Sequence, residues 1–303
     1  MRRGSHEANE RAPGQSYSTM RTIHRLHEAW RDDIGDLVTR RPLPGPEIAE
    51  LDPFLFLNHH GPQVYPPGNQ GLPFGPHPHR GFETVTFIVQ GELTHRDSAG
   101  HESVIHAGGV QWMTAGRGLV HAEISSSGFK ARGGPLEILQ LWVNLPAKLK
   151  MTEPRYVGLG ASDIPALATP DAKGAVHLVA GEWGGIAGPI ESLTGVFMST
   201  VELGRGGRVH FEGLAGRSVF LYVLRGTVSI AGTAANAFHL VELTREGDAV
   251  EIEGAEDAIL LFGHADPIRE PIIAHGPFVM NTRDEIVQAI HDYQAGKFGP
   301  LPA

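Results

Sequence analysis

Two histidines separated by one residue stand in GPHPHRGFETV, the stretch that covers residues 75–85. On a β-strand, side chains at positions i and i+2 point to the same face, so His77 and His79 would project into one space. The later stretch GRGLVHAEIS supplies His121 and Glu123 with the same spacing. Imidazole and carboxylate groups are ligands for divalent transition metals. Two strands that each contribute such a pair to one interior therefore predict a metal site.

Glu83 leaves the identity of the carboxylate ligand open. It follows His79 by four residues, so an unbroken strand would also direct it inward, whereas a break at Gly81 would turn it elsewhere. It is therefore a ligand in place of Glu123, or an outer residue that orients a ligand histidine. Arg80 has two interpretations as well. It forms a surface ion pair, or it is a cation near the site that tunes the metal or admits an anionic substrate.

Other histidines carry weaker expectations. His59 and His60, in FLFLNHHGP, line the mouth of a cavity or belong to a solvated loop, and the loop is the simpler interpretation. Three more lie near turns and are expected to be exposed: His95, His101 and His106. In the second half, GGRVHFEG contains one pair, His210 and Glu212, and no second pair follows it. A second metal site is therefore not expected.

Composition excludes several other chemistries. The chain has no cysteine, which rules out disulfides, zinc–thiolate sites and cysteine nucleophiles. Its net charge of −9 argues against general binding to nucleic-acid phosphates, because such binding needs a basic face. No apolar run approaches the roughly 20 residues that span a bilayer. The N-terminal residues lack the apolar core of a secretory signal, so we expect a cytoplasmic protein that does not enter a membrane.

Short strands separated by turns must position these side chains. Residues 80–145 alternate apolar and polar side chains between glycine turns, which is typical of β-strands, and a second strand-rich block begins near residue 176. FIVQGEL in the first block resembles YVLRGTV in the second, which suggests an internal duplication. Only NTRDEIVQAIHDYQAG has a helical pattern, with Asn281 or Thr282 as its cap and Gly296 at its end.

Three segments in combination resemble the pirin family of the cupin superfamily: HPHRGFETVTFIVQGELTHRDSAGH, QWMTAGRGLVHAE and PIREPIIAHGPFVMNTRDEIVQAIHDYQAGKFG. The resemblance implies an all-β bicupin, in which two β-barrels pack face to face and the N-terminal barrel holds one metal. Pirins bind that metal through the histidines of HPH and the histidine and glutamate of HAE. In this chain those ligands are His77, His79, His121 and Glu123. By this analogy Glu83 becomes an outer residue of the site.

The chain is thus expected to divide into four regions and to end in a short helix. The predicted regions are a flexible N-terminal extension over residues 1–20, an N-terminal metal-binding cupin barrel over 21–147, an inter-barrel crossing over 148–175, and a C-terminal cupin barrel without metal over 176–303 that includes the helix.

The resemblance also implies iron chemistry. Pirins are iron proteins, and some are similar to quercetin 2,3-dioxygenases, which open a flavonol ring with O2. Fe(II) held by three imidazoles and a carboxylate would keep up to two positions for O2 and for a flavonol or similar enediol. Glu123 would act as the base and Arg80 would stabilise negative charge. Zinc, manganese, nickel or copper could replace iron in the purified protein.

A regulatory function is the alternative that the family implies. Other pirins are described as partners of a transcription factor or of a metabolic enzyme. In that case the redox state of the iron would change the surface near Arg80 and alter the affinity for a protein partner. A third alternative is a cupin isomerase or storage barrel with another divalent metal. None of these functions requires direct binding to nucleic acid.

Overall fold

The computed structural model describes residues 19–301, which are mostly β-strand. The predicted N-terminal extension lies outside the described residues except for Thr19 and Met20. The helices are α1 (Ser127–Arg132), α2 (Arg283–Gln294) and two 3₁₀ turns, Ala147–Leu149 and Ala161–Asp163. Within residues 19–301, no helix is long and apolar enough to span a bilayer. The predicted all-β fold with a short C-terminal helix is confirmed.

The strands of the first half are short, and most are joined by tight turns. They are β1 (Ile23–Glu28), β2 (Trp30–Arg31), β3 (Thr39–Leu43), β4 (Phe54–Tyr65), β5 (Phe74–His79), β6 (Phe82–Gln90), β7 (Glu92–Asp97), β8 (Glu102–His106), β9 (Val110–Thr114), β10 (Leu119–Ile124), β11 (Gly134–Asn144) and β12 (Arg155–Leu159). The last of these lies inside the predicted crossing, so that segment contributes regular structure.

The second half repeats this pattern before the C-terminal helix. Its strands are β13 (Ala166–Ala168), β14 (Gly174–Ala180), β15 (Glu182–Trp183), β16 (Ile186–Ala187), β17 (Phe197–Leu203), β18 (Arg208–Glu212), β19 (Ser218–Arg225), β20 (Thr227–Ile230), β21 (Thr233–Asn236), β22 (His239–Leu243), β23 (Ala249–Gly254), β24 (Ala258–Ala265), β25 (Ile273–His275) and β26 (Phe278–Met280). The helix α2 begins at the predicted cap, since the Thr282 hydroxyl accepts a hydrogen bond from the Glu285 amide at 3.2 Å.

Each half combines a seven-stranded with a four-stranded antiparallel sheet. The first half has the strand orders β12-β9-β6-β11-β4-β3-β2 and β5-β10-β7-β8, and the second half has β1-β22-β19-β24-β17-β14-β13 and β18-β23-β20-β21. The orders correspond strand for strand. In both halves a glycine with positive φ, Gly91 at 84° and Gly226 at 70°, links the two sheets at the place where FIVQGEL resembles YVLRGTV. This correspondence confirms the internal duplication.

The first and last strands of the described chain each pair with the half at the other end of the sequence. The strand β1 pairs with β22 at the edge of the second half's large sheet, although its residues fall in the range predicted for the first barrel. The strand β12 occupies the equivalent edge in the first half. The hairpin of β25 and β26 returns to the first half, where the Val279 amide donates to the Arg80 carbonyl at 3.1 Å. Each half is therefore completed by a segment from outside it.

An apolar core lies between the two large sheets. Successive side chains on a strand alternate between faces, so one face of each large sheet lines its own half and the other face packs against the opposite half. The residues between the sheets include Val85, Phe87, Trp112, Leu139, Leu141, Met198, Phe220, Tyr222, Leu240 and Leu261. The predicted face-to-face packing of two cupin units is confirmed by these contacts.

One polar network crosses this apolar core. His59 lies on β4 with Nδ1 2.9 Å from the Tyr222 hydroxyl and Nε2 2.9 Å from a Glu137 carboxylate oxygen. Glu137 also forms an ion pair with Arg225 of the second half. Burial lowers the pKa of His59 below its ordinary value, so the ring is neutral. It therefore donates to Glu137 and accepts from Tyr222.

The interpretation of His59 and His60 as residues of a solvated loop is wrong. Both lie on β4, which is hydrogen-bonded to β3 on one side and to β11 on the other. One face of β4 packs between the halves and the other lines the first half, so both imidazoles are buried. The His60 ring pairs with the Thr39 hydroxyl at 2.9 Å, and burial lowers its pKa to about 3.

Replacing Tyr222 with phenylalanine tests the network between the halves. Tyr222→Phe removes the hydroxyl that donates to His59 and leaves a buried ring nitrogen without a partner. We expect the free energy of unfolding, measured by urea denaturation, to fall by about 1–3 kcal/mol. The control is Tyr293→Phe at an exposed position of α2, which should leave it unchanged. Equal effects of the two substitutions would contradict the prediction.

Candidate metal centre

Two paired strands bring the predicted histidines together. The strands β5 and β10 are antiparallel neighbours, with His77 directly opposite His121. The ring centroids of His121 lie 4.3 Å from His77 and 4.9 Å from His79. One ring nitrogen from each of the three lies within 4.8 Å of the others. Among residues 19–301, no other three metal-ligating side chains of this kind lie so close together. We call this group the histidine cluster.

The sequence of β5 suits its place in the sheet. It is the edge strand, paired only with β10, and edge strands tolerate proline because one side has no hydrogen-bond ladder to complete. Pro76 and Pro78 can therefore alternate with the two histidines. Gly81 then ends the strand with φ of 90°, and a side chain there would overlap the Val279 carbonyl. This turn separates the register of β5 from that of β6.

Burial keeps two rings of the histidine cluster uncharged. His79 and His121 are 3% and 0% exposed. Burial, together with the neighbouring His77, lowers the pKa of His79 to about 3. The same causes hold the pKa of His121 well below its ordinary value. A metal binds the neutral imidazole, so these rings do not have to lose a proton at neutral pH before they can act as ligands.

The rings differ in their hydrogen bonds. The Nδ1 atom of His77 lies 2.7 Å from the Gly75 carbonyl, and that of His79 lies 3.3 Å from the Pro277 carbonyl. A carbonyl only accepts, so each Nδ1 donates and each Nε2 keeps a free lone pair. Both nitrogens of His121 are buried without a partner in the described part of the chain. Three clustered imidazoles, one of them unsatisfied, fit a divalent metal ion.

Glu123 lies in the same interior but outside the histidine cluster. The pairing with β5 shifts between His121 and Glu123, so that Glu123 lies opposite Phe74. The Thr86 hydroxyl donates to its carboxylate at 3.1 Å. The side-chain amides of Gln111 and Gln140 also donate to it, one to each oxygen. These three donors hold a buried carboxylate two residues away from a ligand histidine.

Glu83 faces away from this interior. It shares a face of β6 with Val85 and Phe87, which pack between the two halves. The Thr114 hydroxyl donates to it at 2.6 Å, and burial raises its pKa above the ordinary value. No hydrogen bond joins it to the histidine cluster in residues 19–301. The expected role of Glu83 in orienting a ligand stays a prediction.

Arg80 is buried, so its interpretation as part of a surface ion pair is wrong. Its Nη1 donates to the Asp292 carboxylate of α2 at 2.9 Å, and its Nε donates to the Arg117 carbonyl at 2.6 Å. Its guanidinium carbon lies 4.7 Å from the centre of the Phe298 ring. The C-terminal segment covers this side chain and excludes it from solvent. A direct catalytic role for Arg80 stays a prediction.

Lys150 was not identified from the sequence, because it lies in a segment without periodicity. Its buried ammonium donates to the carbonyls of Gly81 at 2.8 Å and Val279 at 3.0 Å, and to the Asn144 side chain at 2.6 Å. These bonds tie the turn after His79 to the C-terminal hairpin. Burial lowers the pKa of Lys150 to about 8.

His95 is also buried, contrary to the expectation for the histidines near turns. It lies on β7 between β10 and β8, with its side chain directed inward and stacked on Tyr156 at 4.0 Å. Its Nε2 lies 3.1 Å from the Asp97 carboxylate. His101 and His106 are exposed, as expected. His95 lies directly opposite Glu123 on the neighbouring strand, and this pairing is the signal that could have identified it as an inward-facing residue.

The corresponding sheet of the second half lacks these polar groups. The strands β18 and β23 occupy the places of β5 and β10 in the strand order. Their inward positions carry apolar, buried side chains: Val209, Phe211, Val250 and Ile252. His210 and Glu212 point outward and are exposed. The duplicated fold therefore presents metal-ligating side chains inside its first half and apolar ones inside its second.

Comparison with known proteins gives one consistent family. Residues 36–143 match the family model described as pirin, and residues 198–299 match that of the pirin C-terminal cupin domain. A Pseudomonas aeruginosa protein named "Putative quercetin 2,3-dioxygenase" is 42% identical over 248 residues, which are 82% of this chain and 87% of that protein. Human pirin is 38% identical over 287 residues, 92% of this chain and 93% of the human protein. The crystal structure of an Acinetobacter baumannii quercetin 2,3-dioxygenase has a TM-score of 0.86 at 36% identity, covering 92% of this chain and 99% of its own.

The titration of Lys150 predicts a pH-dependent stability. The folded protein lowers its pKa from 10.5 to about 8, so between these values the unfolded chain binds more protons and stability rises with pH. Relative to Lys150→Met, the wild-type free energy of unfolding should therefore increase from about pH 8 to about pH 10, by on the order of 2 kcal/mol. Chemical denaturation across this range measures the difference. The exposed Lys148→Met variant should track the wild type, and a flat difference for Lys150→Met would contradict the prediction.

Proposed function

This chain belongs to the pirin family, and we propose that it is an iron-dependent dioxygenase that cleaves a flavonol or similar enediol with O2. The observation that carries the proposal is the histidine cluster, three imidazoles of the first half whose ring nitrogens lie within 4.8 Å of one another. Relatives named as quercetin 2,3-dioxygenases, which match most of the chain, support the choice of reaction. The substrates would be a small flavonol-like molecule and O2.

The proposed metal ligands are His77, His79, His121 and Glu123. The two histidines of β5 already direct Nδ1 to backbone carbonyls, which leaves each Nε2 for the metal. The carboxylate of Glu123 would complete the set from the same strand as His121. We propose Fe(II) as the native ion. The same donor set also accepts zinc, manganese, nickel or copper, because the affinity for these metals depends on the type and geometry of the ligands.

Bound iron(II) would supply redox chemistry with O2 and Lewis acidity toward the hydroxyl of the substrate. The protein's own contribution is to hold and move protons. We propose that the Glu123 carboxylate accepts the proton of the flavonol 3-hydroxyl, because it lies two residues from His121 on the same strand and three donors hold it in place. Gln111 and Gln140 orient it by donating to its two oxygens. Ring opening by O2 would then release carbon monoxide and the depside.

For Arg80 we propose a positioning role in place of direct contact with substrate. Its guanidinium is fully engaged by Asp292, Phe298 and a backbone carbonyl. Through its own backbone carbonyl it also holds the C-terminal hairpin, whose Pro277 carbonyl orients His79. Arg80 would therefore act on the metal through the geometry of its neighbour His79.

A redox-sensing regulatory protein remains the second candidate, and one observation favours it. Asp292, which binds Arg80 next to the ligand His79, lies on α2. The outer face of that helix exposes two large apolar side chains, Val287 and Tyr293. If the geometry of the ligands changed with the redox state of iron, Arg80 and Asp292 would transmit that change from His79 to α2. A transcription factor or metabolic enzyme could contact the exposed face of that helix.

Removing one ligand tests both parts of the dioxygenase proposal. After anaerobic reconstitution with Fe(II), the wild-type protein should bind one iron and consume quercetin and O2 with release of carbon monoxide. His121→Ala should lose both the iron and the turnover, whereas His210→Ala, in the outward pair of the second half, should retain both. Iron-loaded wild type that leaves quercetin and other flavonols intact would refute the reaction, and the metal site would stand.

The positioning role of Arg80 is tested by breaking its ion pair from either side. Arg80→Gln and Asp292→Asn should each weaken iron binding by roughly tenfold, because both release the C-terminal segment that orients His79. Competition with a chelator measures the affinity. Lys297→Gln, an exposed partner of the same Asp292 carboxylate, is the control and should have little effect. If Arg80→Gln abolishes turnover at unchanged iron affinity, Arg80 contacts the substrate instead.

A further inference from the structure

One ring of the histidine cluster lacks an orienting partner. His77 and His79 each donate a ring N–H to a backbone carbonyl, but neither nitrogen of the buried His121 has a partner in the described residues. If a metal takes one of these nitrogens, the other carries a buried N–H. Ligand histidines ordinarily donate that second N–H, and a buried donor without an acceptor is costly. An acceptor close to His121 is therefore required.

His95 has a lone pair to offer. Its Nε2 lies 3.1 Å from an Asp97 oxygen, and its Nδ1 is buried without a partner. Asp97 also receives the amides of Ala99 at 2.9 Å and His101 at 3.0 Å. Burial opposes the ionisation of Asp97, but its hydrogen bonds outweigh burial and lower its pKa. An ionised carboxylate only accepts, so Nε2 of His95 carries the proton and Nδ1 is an acceptor.

The two rings lie at the right separation. The centroids of His95 and His121 are 5.5 Å apart, with an angle of 49° between the ring planes. Two imidazoles joined by an N–H···N bond of about 2.9 Å have centroids roughly 5 Å apart, so a small rotation would close the bond. The ring of His95 is restrained, because it stacks on Tyr156 at 4.0 Å with an angle of 11°.

We propose that His95 is a positioning residue of the metal centre, whose Nδ1 accepts the second N–H of His121. Asp97 holds His95 in the tautomer that this bond needs. The chain of contacts continues to His101, whose Nδ1 lies 2.9 Å from Asp97 and whose side chain is 43% exposed. The inference rests on the proposed metal site and adds a residue outside its ligand set.

Two substitutions remove the acceptor by different means. His95→Phe keeps the stack on Tyr156 but has no lone pair. Asp97→Asn keeps the side-chain volume and presents an amide N–H to His95 Nε2, which moves the ring proton to Nδ1 and turns the acceptor into a donor. Both should weaken Fe(II) binding by about 10–100-fold in chelator competition. His95→Asn, which retains an oxygen near the position of Nδ1, should recover part of the affinity.

A spectroscopic readout separates orientation from simple damage to the fold. In Cu(II)-loaded protein, pulsed EPR reports the remote nitrogen of each ligand imidazole, and its quadrupole coupling depends on the hydrogen bond at that nitrogen. One of the remote-nitrogen signals should change in His95→Phe and Asp97→Asn. It should stay unchanged in the control His106→Gln, an exposed histidine at the end of β8 that lies beside Glu92 instead of Asp97.

The outcomes distinguish this inference from the proposed function. Wild type that binds neither Fe(II) nor Cu(II) overturns the metal site and the inference together. Wild type that binds metal, with unchanged affinity and remote-nitrogen signals in folded His95→Phe and Asp97→Asn, overturns the role of His95 alone. If His95→Phe does not fold, Asp97→Asn decides the question, because it removes no volume from the interior.

Discussion

A polar group buried in an apolar interior must find a partner, and the first half of this protein buries five imidazoles: His59, His60, His79, His95 and His121. Burial lowers the pKa of four of these rings (His59, His60, His79 and His121), and each neutral ring has a donor and an acceptor to satisfy. Two of the partners come from distant parts of the chain: a tyrosine of the second half for His59, and a carbonyl of the C-terminal hairpin for His79. His121 finds no protein partner at all within the described residues. The unsatisfied nitrogens of His121 are the place in this cluster where a metal could bind.

The duplicated fold shows what the cluster requires beyond a cupin framework. Both halves have the same strand order, and both turn from the large to the small sheet at a glycine. The second half fills its interior with aliphatic and aromatic side chains, which need no hydrogen bonds. The first half instead carries imidazoles, carboxylates and amides, and it recruits α2 and the C-terminal hairpin to hold them. The C-terminal segments thus support the half that holds the histidine cluster.

The sequence predicted the parts of the site that depend on local spacing. The alternation of His77 and His79, the later pair in HAE, the repeated strand-to-glycine turn and the cap of α2 are all short-range patterns, and the structure contains each arrangement. Prediction from the sequence failed where a partner distant in the chain determines whether a side chain is buried. His59, His60 and His95 look like surface residues in their local contexts, and Lys150 has no pattern around it. Their positions depend on sheet pairing and on contacts with distant segments. The ammonium of Lys150, for example, donates to the carbonyl of Val279, which is more than one hundred residues away in the chain.

The resemblance to pirins chose between Glu123 and Glu83 as the carboxylate ligand, and the geometry gives a physical reason for that choice. Glu123 is on β10 with His121 and faces the same interior, whereas Gly81 redirects the chain so that Glu83 faces the core between the halves. Three donors hold Glu123 outside the histidine cluster. Coordination would exchange some of these hydrogen bonds for a bond to the ion, so the amides of Gln111 and Gln140 set how readily the carboxylate moves. The same amides orient the carboxylate toward the interior, so they would link metal binding and proton transfer through one side chain.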